Sequence, residues 1–190
     1  GSNNLTPTNN PTAVLGKINF ANQFVSASSQ YLSIADNVSL STGDIDFTIA
    51  GLVFLDSKAA DMSIACKFTT TGNQREYFLH YQVASDRFVM AVSRDGTAGS
   101  TITIAANSLG SPGTGVWYFV IGWHDSINNT VNIQVNNGSI NSVAWTFGSF
   151  DSTSTFNIGS IGNPTFFMNG RIDSVSFWKR TLSAEEKTFL

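Results

Sequence analysis

The sequence predicts an all-β fold: a two-sheet antiparallel sandwich finished by one short C-terminal helix. Three observations carry that prediction. Asn, Ser and Thr make up 61 of the 190 residues while charged residues are only 12%, a composition of short strands and turns rather than of amphipathic helices. About a dozen segments alternate apolar and polar side chains with period two. Turn residues such as Asp36-Asn37, Ser41-Thr42-Gly43, Thr71-Gly72-Asn73 and Asp95-Gly96 separate them. A chain of this length buries one substantial core, so a single domain is expected.

Residues 1–14 are rich in Asn, Thr and Pro and read as a linker or lead-in, with Gly1-Ser2 resembling a cloning remnant and the domain running from residue 15 to 190. Strands are expected over 17–20, 30–34, 46–55, 61–68, 75–82, 87–93 and 101–105. The Asp95-Gly96 pair marks a hairpin. Further strands are expected over 115–125, 130–136, 139–147, 155–159 and 170–179. In the final stretch Ser183 is placed to cap a helix and Glu186 follows at capping-box spacing.

A net charge of −3 is spread along the chain without a Lys/Arg cluster, so nucleic acid is not an expected partner. No apolar run approaches the roughly 20 residues of a membrane span, so no membrane insertion is expected. The single cysteine, Cys66, has no internal disulfide partner, and its alternating neighbours Ile64 and Phe68 place it on a buried strand.

Three stretches carry a family resemblance. The first joins Ile18-Asn19-Phe20, Gln30-Tyr31-Leu32-Ser33-Ile34, Ser39-Leu40 and Asp46-Phe47-Thr48-Ile49. The second is Gly115-Val116-Trp117-Tyr118-Phe119-Val120-Ile121 with Val131-Asn132-Ile133-Gln134-Val135-Asn136. The third, and most specific, is Gly170-Arg171-Ile172-Asp173-Ser174-Val175 followed by Trp178-Lys179-Arg180-Thr181-Leu182-Ser183-Ala184-Glu185-Glu186.

Together these resemble the laminin-G-like domains of the concanavalin A-like lectin and glucanase superfamily over about residues 15–190. The resemblance implies a jelly-roll sandwich. It also places Trp117 and Trp178 at structural, core positions, and it offers Asp173 as a calcium ligand. The competing reading of Asp173 is an aspartate that holds strand-edge amides. Where family members carry an Asp-rich opening this chain has Ala21-Asn22-Gln23-Phe24-Val25-Ser26, which leaves few oxygens for calcium.

No enzyme is expected. Glycoside hydrolysis needs two carboxylates flanking the scissile bond, and the only glutamates are Glu76, Glu185 and Glu186. The two histidines, His80 and His124, have no Gly-x-Ser-x-Gly elbow to serve. Cys66 has no activating neighbour, and no Cys/His cluster has zinc spacing.

A binding face follows from strand parity. Val131, Ile133 and Val135 alternate with Asn132, Gln134 and Asn136, so the amides face outward. A two-residue turn at Asn137-Gly138 pairs Val135 with Ile140 and points Asn141, Val143 and Trp145 outward; a three-residue loop reverses that parity. The resemblance turns Val120 inward and leaves Phe119, Ile121 and Trp123 on the outer face.

Trp123, Trp145, Phe119, Asn132, Gln134 and Asn141 then form a candidate sugar surface, with aromatic faces for C–H groups and amides for hydroxyls. The alternative is that loops or a neighbouring subunit bury this face. The expected function is a non-catalytic carbohydrate-binding or adhesion module of a larger extracellular or cell-surface protein, with a glycan as partner. The second expectation is an assembly domain of a virion, fibre or surface layer, with protein subunits as partners.

Overall fold

The computed structural model describes residues 3–190 and contains two antiparallel seven-stranded sheets. Gly1-Ser2 lie outside the described residues. The strands are β1 (Thr6–Thr8), β2 (Thr12–Leu15), β3 (Phe20–Phe24), β4 (Tyr31–Ile34), β5 (Phe47–Leu55), β6 (Met62–Thr69) and β7 (Gln74–Gln82). Then follow β8 (Arg87–Ser93), β9 (Thr101–Ala105), β10 (Trp117–Asp125), β11 (Thr130–Val135), β12 (Asn141–Ala144), β13 (Phe156–Ile158) and β14 (Gly170–Trp178). One sheet has the order β1-β4-β13-β6-β7-β8-β9 and the other β12-β11-β10-β5-β14-β3-β2. Non-consecutive neighbours in both sheets give the crossed connectivity of a jelly-roll sandwich.

The core lies between the sheets because alternate residues of each central strand point inward. Ile49, Val53 and Leu55 of β5 meet Tyr77, Leu79 and Tyr81 of β7 and Phe88, Met90 and Val92 of β8, all buried. The sheets approach closely at Gly122, where an added Cβ would lie 2.8 Å from the sulfur of Met90. A β-bulge between Asp173 and Ser176, with Ser174 at φ 51°, lets β14 turn Val175 toward the core and continue its pairing with β5.

Two expectations need correction. Residues 6–8 and 12–14, read as part of a linker, lie in strands: β1 pairs with β4, and β2, which runs on to Leu15, pairs with β3. They read as loop because they are edge strands of three and four residues, mostly exposed and too short to show an alternating pattern. The Asp95-Gly96 pair does lie in a hairpin, with β8 antiparallel to β9, but the connection is not a two-residue turn. Ser93 and Thr101 are joined by a longer loop in which Asp95 accepts the Thr97 amide and the Thr97 and Ser100 hydroxyls.

The C-terminal helix α1 (Ala184–Phe189) begins as expected. Ser183 accepts the Glu186 amide at 3.1 Å while the Glu186 carboxylate accepts the Ser183 amide at 2.9 Å. The same carboxylate is paired with Arg180, which holds it down to about 2.

Candidate functional site

The outer face of the second sheet is built in rows, because β10, β5 and β14 lie side by side across it, with one register shift at the β14 bulge. The first row runs Trp117, Phe54, Arg171 and Gln23 across β10, β5, β14 and β3. Trp117 packs against Phe54 with ring centroids 5.4 Å apart, the Arg171 guanidinium lies 4.5 Å over the Phe54 ring, and Arg171 Nε donates to Gln23 Oε1 at 2.9 Å. Each ring is thus supported by the next group in the row, which holds Trp117 in one orientation.

The second row is Phe119, Leu52 and Asp173. Both oxygens of Asp173 are occupied: one accepts the Ile18 amide and the other the Ser174 hydroxyl, each at 2.8 Å. The aspartate therefore ties the β2–β3 hairpin to the sheet. Among the described residues no group of three or more His, Cys, Asp or Glu is placed to hold a metal ion. The surroundings of Asp173 do not fit calcium, which takes roughly six to eight oxygens.

The remaining rows, Ile121 with Ala50 and Trp123 with Thr48 and Trp178, are covered by the C-terminal segment. Leu182 packs on Ile121 and Trp123, and the Lys187 ammonium sits 3.8 Å over the Trp123 ring. That burial lowers the pKa of Lys187. Trp123, only 5% exposed, is beneath a helix rather than on an open surface.

The uncovered first two rows form the floor of a groove of about 460 Å³, lined by Lys17, Ile18, Leu52, Trp117, Phe119, Asn136, Asn137 and Leu190. A smaller hollow shares Ile18, Leu52, Phe119 and Leu190 and extends it toward Trp178. Asn136 is locked: its side-chain oxygen accepts the Phe119 amide at 2.8 Å, and its backbone adopts φ 50°.

Six residues were expected to share one sugar surface. Phe119, Trp123, Asn132 and Gln134 do lie on the outer face, but only Phe119 reaches the groove. Asn132 is buried, with Thr130 and Ser142 as partners, and Gln134 donates to Gly138 O. Trp145 and Asn141 belong to the other side. Asn141 is opposite Ile133 and Val143 opposite Val131, both core residues. Trp145 joins the main core, with its indole N–H donating to Gly148 O.

The loop between β11 and β12 has the parity-reversing length, which turns Asn141 and Trp145 to the core side. Trp117 departs from expectation in the opposite sense. The resemblance implies core positions for Trp117 and Trp178, yet both stand on the outer face and are half-buried. The two-residue spacing from Phe119 was the signal that places Trp117 there.

Residues that raised enzyme chemistry are otherwise engaged. Glu76 is fully buried, where it takes the Lys67 ammonium at 2.7 Å, the Thr42 amide and hydroxyl, and the Ser152 amide and hydroxyl. This polar clamp joins β6 and β7 to two loops. Burial pushes the Cys66 thiol up to about 12, which keeps it an unreactive thiol. Burial pushes His80 down to about 4, stacked on Phe78 at 4.0 Å between centroids.

Two packed antiparallel sheets with this connectivity define a jelly-roll β-sandwich. The chain belongs to the concanavalin A-like lectin/glucanases superfamily, whose laminin-G-type family model matches residues 26–186. No curated protein sequence matches it.

Solved structures share the fold. Domain 4 of an extracellular arabinanase from Geobacillus stearothermophilus, solved with arabinotriose, has a TM-score of 0.69 at 12% identity, with 95% of this chain and 80% of that one covered. The binding domain of Paraclostridial Mosquitocidal Protein 1 has a TM-score of 0.74 at 15% identity, covering 98% of this chain. This chain spans about half of that domain, 46% of its length. A Ruminococcus gnavus sialidase carbohydrate-binding module bound to α2,3 sialyllactose has a TM-score of 0.59 at 18% identity, covering 81% and 93%. At these identities the likeness concerns the fold. No helix among the described residues is long and apolar enough to cross a membrane.

Proposed function

We propose that this domain is a non-catalytic carbohydrate-binding module displayed by an extracellular or surface protein, and that its sugar site is the Trp117/Phe119 groove. The observation that carries the reading is the supported ring of Trp117, half-exposed at the rim and braced through Phe54 by Arg171. A pyranose or furanose presents an apolar C–H face that stacks on such a ring, while its hydroxyls bond to amides at the edge. Asn137 supplies one such amide, and Leu52, Ile18 and Phe119 give the groove an apolar lining. The groove's volume falls within the range of small-ligand sites. Structures with the same fold were solved with arabinotriose and sialyllactose, which supports a glycan as the partner class.

A glycan array probed with wild type, Trp117→Ala and Trp145→Ala, with and without calcium, tests the reading. Wild type is expected to bind a defined set saturably, Trp117→Ala to lose at least about tenfold in affinity, and Trp145→Ala to retain the same preferences if folded. Binding that survives Trp117→Ala unchanged sinks the groove as the site.

A second reading, a domain of a larger assembly, is favoured by one feature: Leu15 and Phe20, direct cross-strand partners on β2 and β3, are 78% and 72% exposed. Contiguous exposed apolar residues mark contact surfaces. A monomeric mass by light scattering at high concentration, unchanged in Leu15→Ser, would count against self-assembly.

A further inference from the structure

We infer that the groove selects a glycan bearing an anionic sugar, with Lys17 as the counter-charge; the inference rests on the glycan reading above and specifies its ligand. The chain carries ten Lys and Arg residues. All but one hold their charged groups in hydrogen bonds, ion pairs or against aromatic rings. Lys17 is the exception: among the described residues its ammonium has no partner, it is exposed, and it lines the groove. Neither the groove nor the hollow beside it is lined by an Asp or Glu side chain. The nearby carboxylate of Asp173 is buried and already accepts two donors. In a chain of net charge −3, the one Lys or Arg side chain without a partner among the described residues therefore stands at the aromatic groove just described, which no Asp or Glu side chain lines.

The backbone beneath Lys17 is fixed. Gly16 N donates to Asn19 O at 3.0 Å and closes the hairpin turn, and the Ile18 amide is held by Asp173. Any side chain at position 16 would collide with that carboxylate, since an added Cβ would lie 2.5 Å from Asp173 Oδ2. Only the lysine side chain itself has freedom to lose on binding, which favours a charged contact made by a long, mobile stem. A sugar ring lying on Trp117 and Phe119 would direct a ring carboxylate or an appended sulfate toward the hairpin, while its opposite edge faces Asn136 and Asn137. A hydrogen bond between ammonium and anion is stronger than one to a neutral hydroxyl.

The test uses matched oligosaccharides that differ only in charge: a uronate oligomer, the same oligomer after carboxyl reduction, and a sulfated form of the reduced oligomer. Each is titrated against wild type, Lys17→Gln and Lys17→Arg at low and high salt. The expected result is binding of an anionic form about fivefold tighter than the reduced form. Lys17→Gln should abolish that preference, Lys17→Arg should keep it, and high salt should weaken it. The carboxylated and sulfated arms decide which anion is read. Equal affinity for charged and reduced forms, or a preference that survives Lys17→Gln, overturns the inference and leaves the glycan reading intact. Absence of binding to every form by the folded wild type overturns both.

Discussion

Four tryptophans occupy different positions, and their substitution separates binding from stability. Trp117 is half-buried at the groove rim, whereas Trp123 lies under Leu182 and Lys187. Trp123→Ala would remove a ring that the helix packs on, and is expected to cost about 3 kcal/mol in chemical denaturation. Trp117→Ala, losing a partly solvated ring, should cost no more than about half as much. The reverse order would mean that Trp117 is a packing residue.

His80 gives a pH signature. Its folded pKa of about 4 lies below the ordinary 6.5 because burial disfavours the cation, and its Nδ1 has no partner. Above pH 6.5 the group is neutral in both states and contributes nothing. As pH falls from 6.5 toward 4, the unfolded chain takes up a proton that the folded one refuses, so stability is lost. The full loss, roughly 3 kcal/mol for this shift, should be present below pH 4. Urea denaturation at pH 7 and pH 4.5 is expected to show most of that fall in wild type, and a flatter dependence in His80→Leu. Carboxylates held low, such as Glu186 at about 2, lose their contribution further down the scale. An unchanged slope in the variant would assign the acid sensitivity to other groups.

At the scale of the element, the C-terminal helix depends on local chemistry. Six residues cannot hold a helix on propensity alone, so the reciprocal bonds of Ser183 and Glu186 and the packing of Leu182 sustain it. Ser183→Ala is expected to lower stability by about 1 kcal/mol. Because the helix covers Trp123, that loss should appear with a change in tryptophan fluorescence. A melt identical to wild type would show that Leu182 packing alone fixes the segment.

This helix was legible in the sequence because its signal is short and chemical, and so were the central strands, whose two-residue alternation reflects one buried face. β1 and β2 were not legible, since edge strands of three and four residues bury little and are too short to show an alternating pattern. The faces of Trp145 and Asn141 hinged on loop length: Asn136 and Asn137 both adopt positive φ, and one added loop residue moves every later side chain of β12 to the other face. Phe119 was found by parity, but Lys17 and Leu52 come to the groove from separate strands and a hairpin. Only the folded register brings them together.

Across the whole molecule, the two outer faces have different fates. On the first sheet Phe68, Phe78, Ala91 and Ile161 form a closed satellite cluster, and the Lys67–Glu76 clamp ties strands to loops with no exposure. Lys67→Met would leave Glu76 buried without its cation and is expected to cost about 3–5 kcal/mol. On the second sheet the helix closes half of the outer face and leaves the Trp117 half open, so ligand binding is expected there without rearrangement of the sandwich.

The indole N–H signals of the four tryptophans in a ¹⁵N–¹H spectrum report on this directly, after assignment by single substitution, during titration with the best ligand from a glycan array. The Trp117 signal should move saturably while the core signal of Trp145 stays in place. If a bound glycan shifts Trp145 and leaves Trp117 unmoved, the site is elsewhere. If no glycan shifts any indole of the folded domain, the molecule is not the sugar-binding module proposed.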